Sequence, residues 1–133
     1  VSEQINSGTN RRHLTRYLCG ENFSDSTVKT AAGCRTVTSV NFNHCGIALF
    51  SQQPLPDVSH FYISFCLSTD EADIRVDELF CELRYSRDSD IGFQYGVRFL
   101  PPADEESELL SRLLRIEAYL AQHVDEEDRY GLF

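Results

Sequence analysis

Two stretches alternate apolar and polar residues with the period of a β-strand, and they restrict this chain more than any other feature. Phe61, Ile63, Phe65 and Leu67 alternate with Tyr62, Ser64 and Cys66, and Phe93, Tyr95, Val97 and Phe99 alternate with Gln94, Gly96 and Arg98. A period of two puts one set of side chains on a buried face and the other on an exposed face. Leu79, Cys81 and Leu83 continue the pattern in a strand that can begin near Ile74. Val37 with Val40, and Ile47 with Leu49, flank a polar turn over Asn41 to Gly46. Turn residues separate these runs: two prolines between Gln52 and Ser59, the acidic Asp70 to Asp73, and a hairpin connection at Asp88-Ser89-Asp90. Crossover helices do not interleave, so the sheet is expected to be antiparallel, a barrel or sandwich of five to seven short strands.

After Phe99 the pattern changes. Pro101 and Pro102 stop the last strand, and Asp104, Glu105 and Glu106 offer an N-cap and first-turn acids that complement a helix dipole. Leu109, Leu113, Ile116, Leu120 and Val124 then recur at steps of three and four, widened by Leu110, Leu114 and Ala121. A C-terminal amphipathic helix is expected, packed on the sheet or offered to a partner. Asp125 to Asp128 forms an acidic tail.

With 133 residues the chain suits one domain with one core. Apolar runs of about 18 residues and a leader pattern are both missing, so neither a membrane span nor a signal peptide is expected. The net charge of −9 is unevenly spread. Residues 1 to 35 carry five cations against three acids, a net of +2, and the remainder carries −11. An acidic body with a basic arm disfavours a nucleic acid polymer, which needs an extended basic surface, but suits a small anion held by a few arginines. Five cysteines without a C-x-x-C pair are expected to be reduced, mostly buried thiols of a cytoplasmic protein. His13, His44, His60 and His123 lack ligand spacing, so no metal is expected.

Two short segments concentrate the residues suited to recognition. Arg11-Arg12-His13-Leu14-Thr15-Arg16 places three arginines in six residues, each able to grip a phosphate or pair with guanine O6 and N7. Asn41-Phe42-Asn43-His44-Cys45-Gly46 reads as a tight turn, with residue types that tolerate left-handed backbone. Asn41 can accept from guanine N1–H or N2–H, and Asn43 can donate to a phosphate. Each asparagine can also simply bond its own turn.

Together the segments resemble the two-part signature of PilZ domains, bacterial receptors for cyclic di-GMP. Arg12 and Arg16 match the RxxxR arm, and Asn41 and Gly46 match the [D/N]xSxxG turn, with Asn43 where the family usually has Ser. Tyr95-Gly96-Val97-Arg98-Phe99 resembles the family's closing strand. The resemblance implies a six- or seven-stranded antiparallel PilZ-type β-barrel with a C-terminal helix. It divides the chain into a flexible arm over 1–16, a barrel with helix over 17–124 and a tail over 125–133. It also implies binding of cyclic di-GMP by Arg11, Arg12, Arg16, Asn41, Asn43 and Gly46, with His44, Tyr85 and Arg98 as further contacts. Ligand would order the arm and signal to a downstream protein in motility, biofilm or virulence control, without catalysis and without a cofactor. Divergent members that act as ligand-independent adaptors are the alternative. A third reading takes Cys45, His44 and Asn43 as nucleophile, base and orienter, though sequence neighbours in a turn seldom converge.

Overall fold

A computed structural model describes residues 15–123. Arg11, Arg12 and most of the expected arm lie outside the described residues, as do Val124 and the tail. The chain forms eight strands and one helix: β1 (Tyr17–Leu18), β2 (Phe23–Thr30), β3 (Gly33–Thr36), β4 (Thr38–Asn43), β5 (Gly46–Ser51), β6 (His60–Ser68), β7 (Asp73–Ser89), β8 (Gly92–Phe99) and α1 (Glu106–His123), the last preceded by a single 3-10 turn at Ala103–Glu105. Both alternating stretches are strands, β6 and β8, and the expected strand from near Ile74 is β7. Ser89 pairs with Gly92, so the hairpin between β7 and β8 turns at Asp90-Ile91, slightly later than the acidic run suggested.

All neighbouring strands pair antiparallel in the order β1-β4-β5-β8-β7-β6-β2-β3. The expected closed barrel of six or seven strands is not what forms. The sheet is open, curls through 185° into a half-barrel and leaves its edges 18 Å apart. Two local features keep it open. The run from Gly33 to Asn43 breaks at Val37, so its first part pairs with β2 and its second with β5 and β1. Beside that break β2 carries a bulge between Ser24 and Thr27, with Asp25 at a φ of 55°. A bulge bends the strand and interrupts its ladder, so β2 and β4 diverge here, joined by the backbone bond from Val37 N–H to Ser26 O and the side-chain bond between Ser26 and Ser39.

An open sheet leaves part of its concave face without a facing strand, and α1 covers it. Leu113, Ile116 and Leu120 are buried in the same cluster as Phe23, Phe42, Phe65, Val97 and Phe99. Each such aliphatic side chain contributes about 1.5–3 kcal/mol by leaving water. Polar bonds fix the helix at both sides of the mouth: Tyr119 accepts from Asn22, and Arg112 donates to the carbonyl of Arg75. Leu114, on the opposite side of the helix, stays exposed. Among the described residues no helix is long and apolar enough to cross a membrane.

All five cysteines are free; Cys19, Cys66 and Cys81 are buried, Cys45 partly so and Cys34 exposed. Burial pushes the Cys81 thiol up from 9.0 to about 12 and raises Cys19 further. Above the ordinary value the unfolded chain loses both protons while the folded chain keeps them. The unfolded state then binds fewer protons, and stability must fall as pH rises. The loss starts near 9.0 and continues towards about 12 for Cys81. Two thiols give a drop of roughly 2–3 kcal/mol between about pH 8 and about pH 10. Urea unfolding at both pH values should show it, and a Cys19→Ala, Cys81→Ala double variant should flatten most of the dependence.

Candidate functional site

The turn between β4 and β5 organises the surface where most of the sequence-derived candidates meet. Phe42, Ile47 and Val97 lie opposite one another across β4, β5 and β8 and all face the core. Alternation therefore sends Asn41, Asn43, Gly46, Ala48, Gly96 and Arg98 to the convex face. There they form two rows: Asn41, Ala48, Gly96 and Tyr85 in one, and Asn43, Gly46, Arg98 and Glu82 in the other. Arg16 stands one residue before β1, whose Tyr17 and Leu18 pair with Phe42 and Asn41.

The turn is tighter than expected. Asn41 to Asn43 are strand residues, and only His44 and Cys45 connect β4 to β5. Positive φ angles at non-glycine residues occur only at Asp25 and Glu78 among the described residues, and Gly46 lacks one as well. The reason for glycine is space: a Cβ at Gly46 would lie 2.2 Å from the carbonyl oxygen of Val97.

The two asparagines, alike in sequence, differ in environment. Asn43 is buried, and its side-chain oxygen accepts from the N–H groups of Cys45 at 2.8 Å and Gly46 at 3.0 Å. It bonds its own turn, as a short polar side chain at this place can. Asn41 is 2% exposed, and its side-chain oxygen has no hydrogen-bond partner. An unpartnered buried acceptor costs about 1–3 kcal/mol, and such groups are few in folded proteins.

His44 joins this turn to the helix. Its backbone N–H donates to Glu117 Oε1 at 2.7 Å, and its ring Nδ1 lies 2.8 Å from the same oxygen. A carboxylate only accepts, so Nδ1 carries a proton. Burial and Glu117 raise the Cys45 thiol, while Arg98 and Arg16 pull it down. Both guanidinium groups therefore act electrostatically at the turn. Glu117 had no motif to mark it, since it sits between two stripe residues of an amphipathic helix.

Tyr85 covers the neighbouring part of the strip. A Cβ on Gly96 would meet its ring at 2.0 Å, so the ring lies over the glycine, 39% exposed, with the Arg87 guanidinium 5.9 Å from its centre. The result is a strip of small residues between two arginines, one orphaned acceptor in its floor and an aromatic ring at its end. Comparisons with protein-family models, with curated proteins and with solved structures find no match for the chain.

Proposed function

We propose that this chain is a receptor for cyclic di-GMP and takes the dinucleotide on the convex face of β4, β5 and β8. The observation that carries this reading is the orphaned side-chain oxygen of Asn41, buried in a floor next to Ala48, with Arg98 opposite Gly46 in the neighbouring row and both Arg16 and Arg98 acting on Cys45 of the adjoining turn. A guanine edge presents N1–H and N2–H, the donors that this acceptor lacks. Arg16 and Arg98 meet phosphate, or guanine O6 and N7, with planar forks. Tyr85 offers a ring face on which a purine can stack once it swings from Gly96, and Arg87 adds a cation beside it. Arg11 and Arg12 supply further contacts on the PilZ resemblance. In this reading Asn43 and Gly46 shape the turn, and His44 carries its position to Glu117 and so to α1. A downstream protein then reads the helix, and the ligand places the receptor in the bacterial cytoplasm.

Calorimetric titration with cyclic di-GMP, with cyclic di-AMP as control, tests this. Arg16→Ala should weaken binding by about 1–3 kcal/mol, the worth of one bidentate contact. Asn41→Ala should weaken it at least about tenfold while leaving stability unchanged or higher, because it removes an unsatisfied acceptor. Equal binding by wild type and both variants, or none by a folded protein, would overturn the receptor.

One observation favours the ligand-independent adaptor instead. On the convex face of β6 and β7, His60 stacks on Phe80 at 5.4 Å and Tyr62 packs on it at 5.2 Å, with Phe80 and Tyr62 exposed. Such an aromatic row suits a protein interface. If the dinucleotide gives no heat, Phe80→Ser should abolish capture of a partner that the wild type retains.

A further inference from the structure

Where β2 parts from β4, the open side of the half-barrel holds a cleft of about 650 Å³, within the size range of small-molecule sites. It is separate from the strip around Asn41 and shares none of its residues. Seven of its thirteen lining residues carry hydroxyls, among them Ser24, Ser26, Thr38 and Ser39. Ser26 and Ser39 share a hydrogen bond of 2.6 Å, which uses one of their two protons and leaves the other for a ligand. Asp25, Arg75 and Asp77 supply the charged groups of the lining. Arg75 donates to Asp25 at 3.4 Å and lies 3.8 Å from Asp77, contacts that hold its guanidinium and leave most of its five donors for a ligand. Asp25 occupies the bulge with a φ of 55°, a left-handed conformation that costs an L-residue about 1 kcal/mol or more. The bulge makes the cleft, and strained positions of this kind are retained where the local shape is used.

The lining discriminates among occupants. An added strand would meet the bulge and its aspartate, which interrupt the ladder and blunt the edge. An anion would face two carboxylates against one guanidinium, within a chain of net charge −9. Among the described residues no group of three or more His, Cys, Asp or Glu converges to hold a metal ion. What fits is a molecule whose groups each donate and accept. The geometry points to a small carbohydrate, neutral or amino-substituted, as the ligand of this cleft. Adjacent ligand hydroxyls donate to the Asp25 or Asp77 carboxylate and accept from the Arg75 fork, and the serine and threonine hydroxyls bond the rest.

The test is a protein-observed NMR titration with glucose, mannose, N-acetylglucosamine, glucosamine and cellobiose at millimolar concentrations, with glycerol as the non-specific control. The variants are Arg75→Gln and Asp25→Asn; asparagine tolerates the left-handed backbone, so the bulge is kept. The expected result is saturable shifts at the amides of Ser24, Asp25, Thr38 and Ser39 with at least one sugar. Both variants should then bind at least about tenfold more weakly, as for loss of one charge-assisted hydrogen bond, at an unchanged thermal midpoint. Arg16→Ala should leave the response intact, which separates this cleft from the dinucleotide site. Absence of a saturable shift with every sugar, or shifts that both variants leave unaltered, would overturn the proposal.

Discussion

Phe42→Ala should lower the unfolding free energy by about 3–5 kcal/mol, a large share of the margin of a domain this size. Phe42 is 0% exposed and sits among three other rings, with centroids 5.7 Å away at Phe23, 5.8 Å at Phe65 and 5.7 Å at Phe99. These rings belong to β2, β6 and β8, so one side chain ties together strands that are distant in the sheet order. Removing it leaves a cavity that a rigid, curled sheet cannot collapse to fill, and it also forfeits ring–ring contacts worth about 0.5–1.5 kcal/mol each. Urea unfolding followed by tyrosine fluorescence measures the effect. A loss below about 1.5 kcal/mol would mean that the cluster relaxes around the gap. Because Asn41 and Asn43 flank Phe42 on the other face, the same variant should loosen the convex strip, seen as faster amide exchange in β4.

Gly46→Ala should cost about 3 kcal/mol or more, the upper end for overpacking. The added methyl would fall 2.2 Å from a backbone oxygen of β8, and no rotamer change can move that atom. Relief requires separating β5 from β8 at their pairing of Gly46 with Arg98. Gly96→Ala is the informative contrast. There the obstacle is the Tyr85 ring at 2.0 Å, a side chain that can rotate, so the cost should be smaller. Urea midpoints for the two variants should differ in that order. In Gly46→Ala the displaced turn should also release Glu117 from His44, so amides of α1 should lose protection along with those of β4 and β5. A variant that leaves the helix fully protected would show that the turn and the helix are not coupled.

Local chemistry alone determined much of this protein. The alternations in β6 and β8 and the inward residues of β7 specified antiparallel strands, because a period of two admits one buried face. The leucine and isoleucine spacing after Pro102 specified the helix, and the polar run at Asn41 to Gly46 marked the place where β4 returns as β5. These signals are short-range and survive in any packing. Closure of the barrel did not follow from them. Whether the last strand meets the first depends on the accumulated bend of eight strands, on the break at Val37 and on the bulge at Asp25, and no single period encodes that sum. The difference between Asn41 and Asn43 is tertiary too. Identical side chains two residues apart share a face, yet one caps a turn and the other faces a floor with no donor, because their cross-strand neighbours differ. Glu117 and the cleft beside Arg75 were likewise invisible, since each joins residues about 70 and 50 positions apart that only the folded sheet brings together.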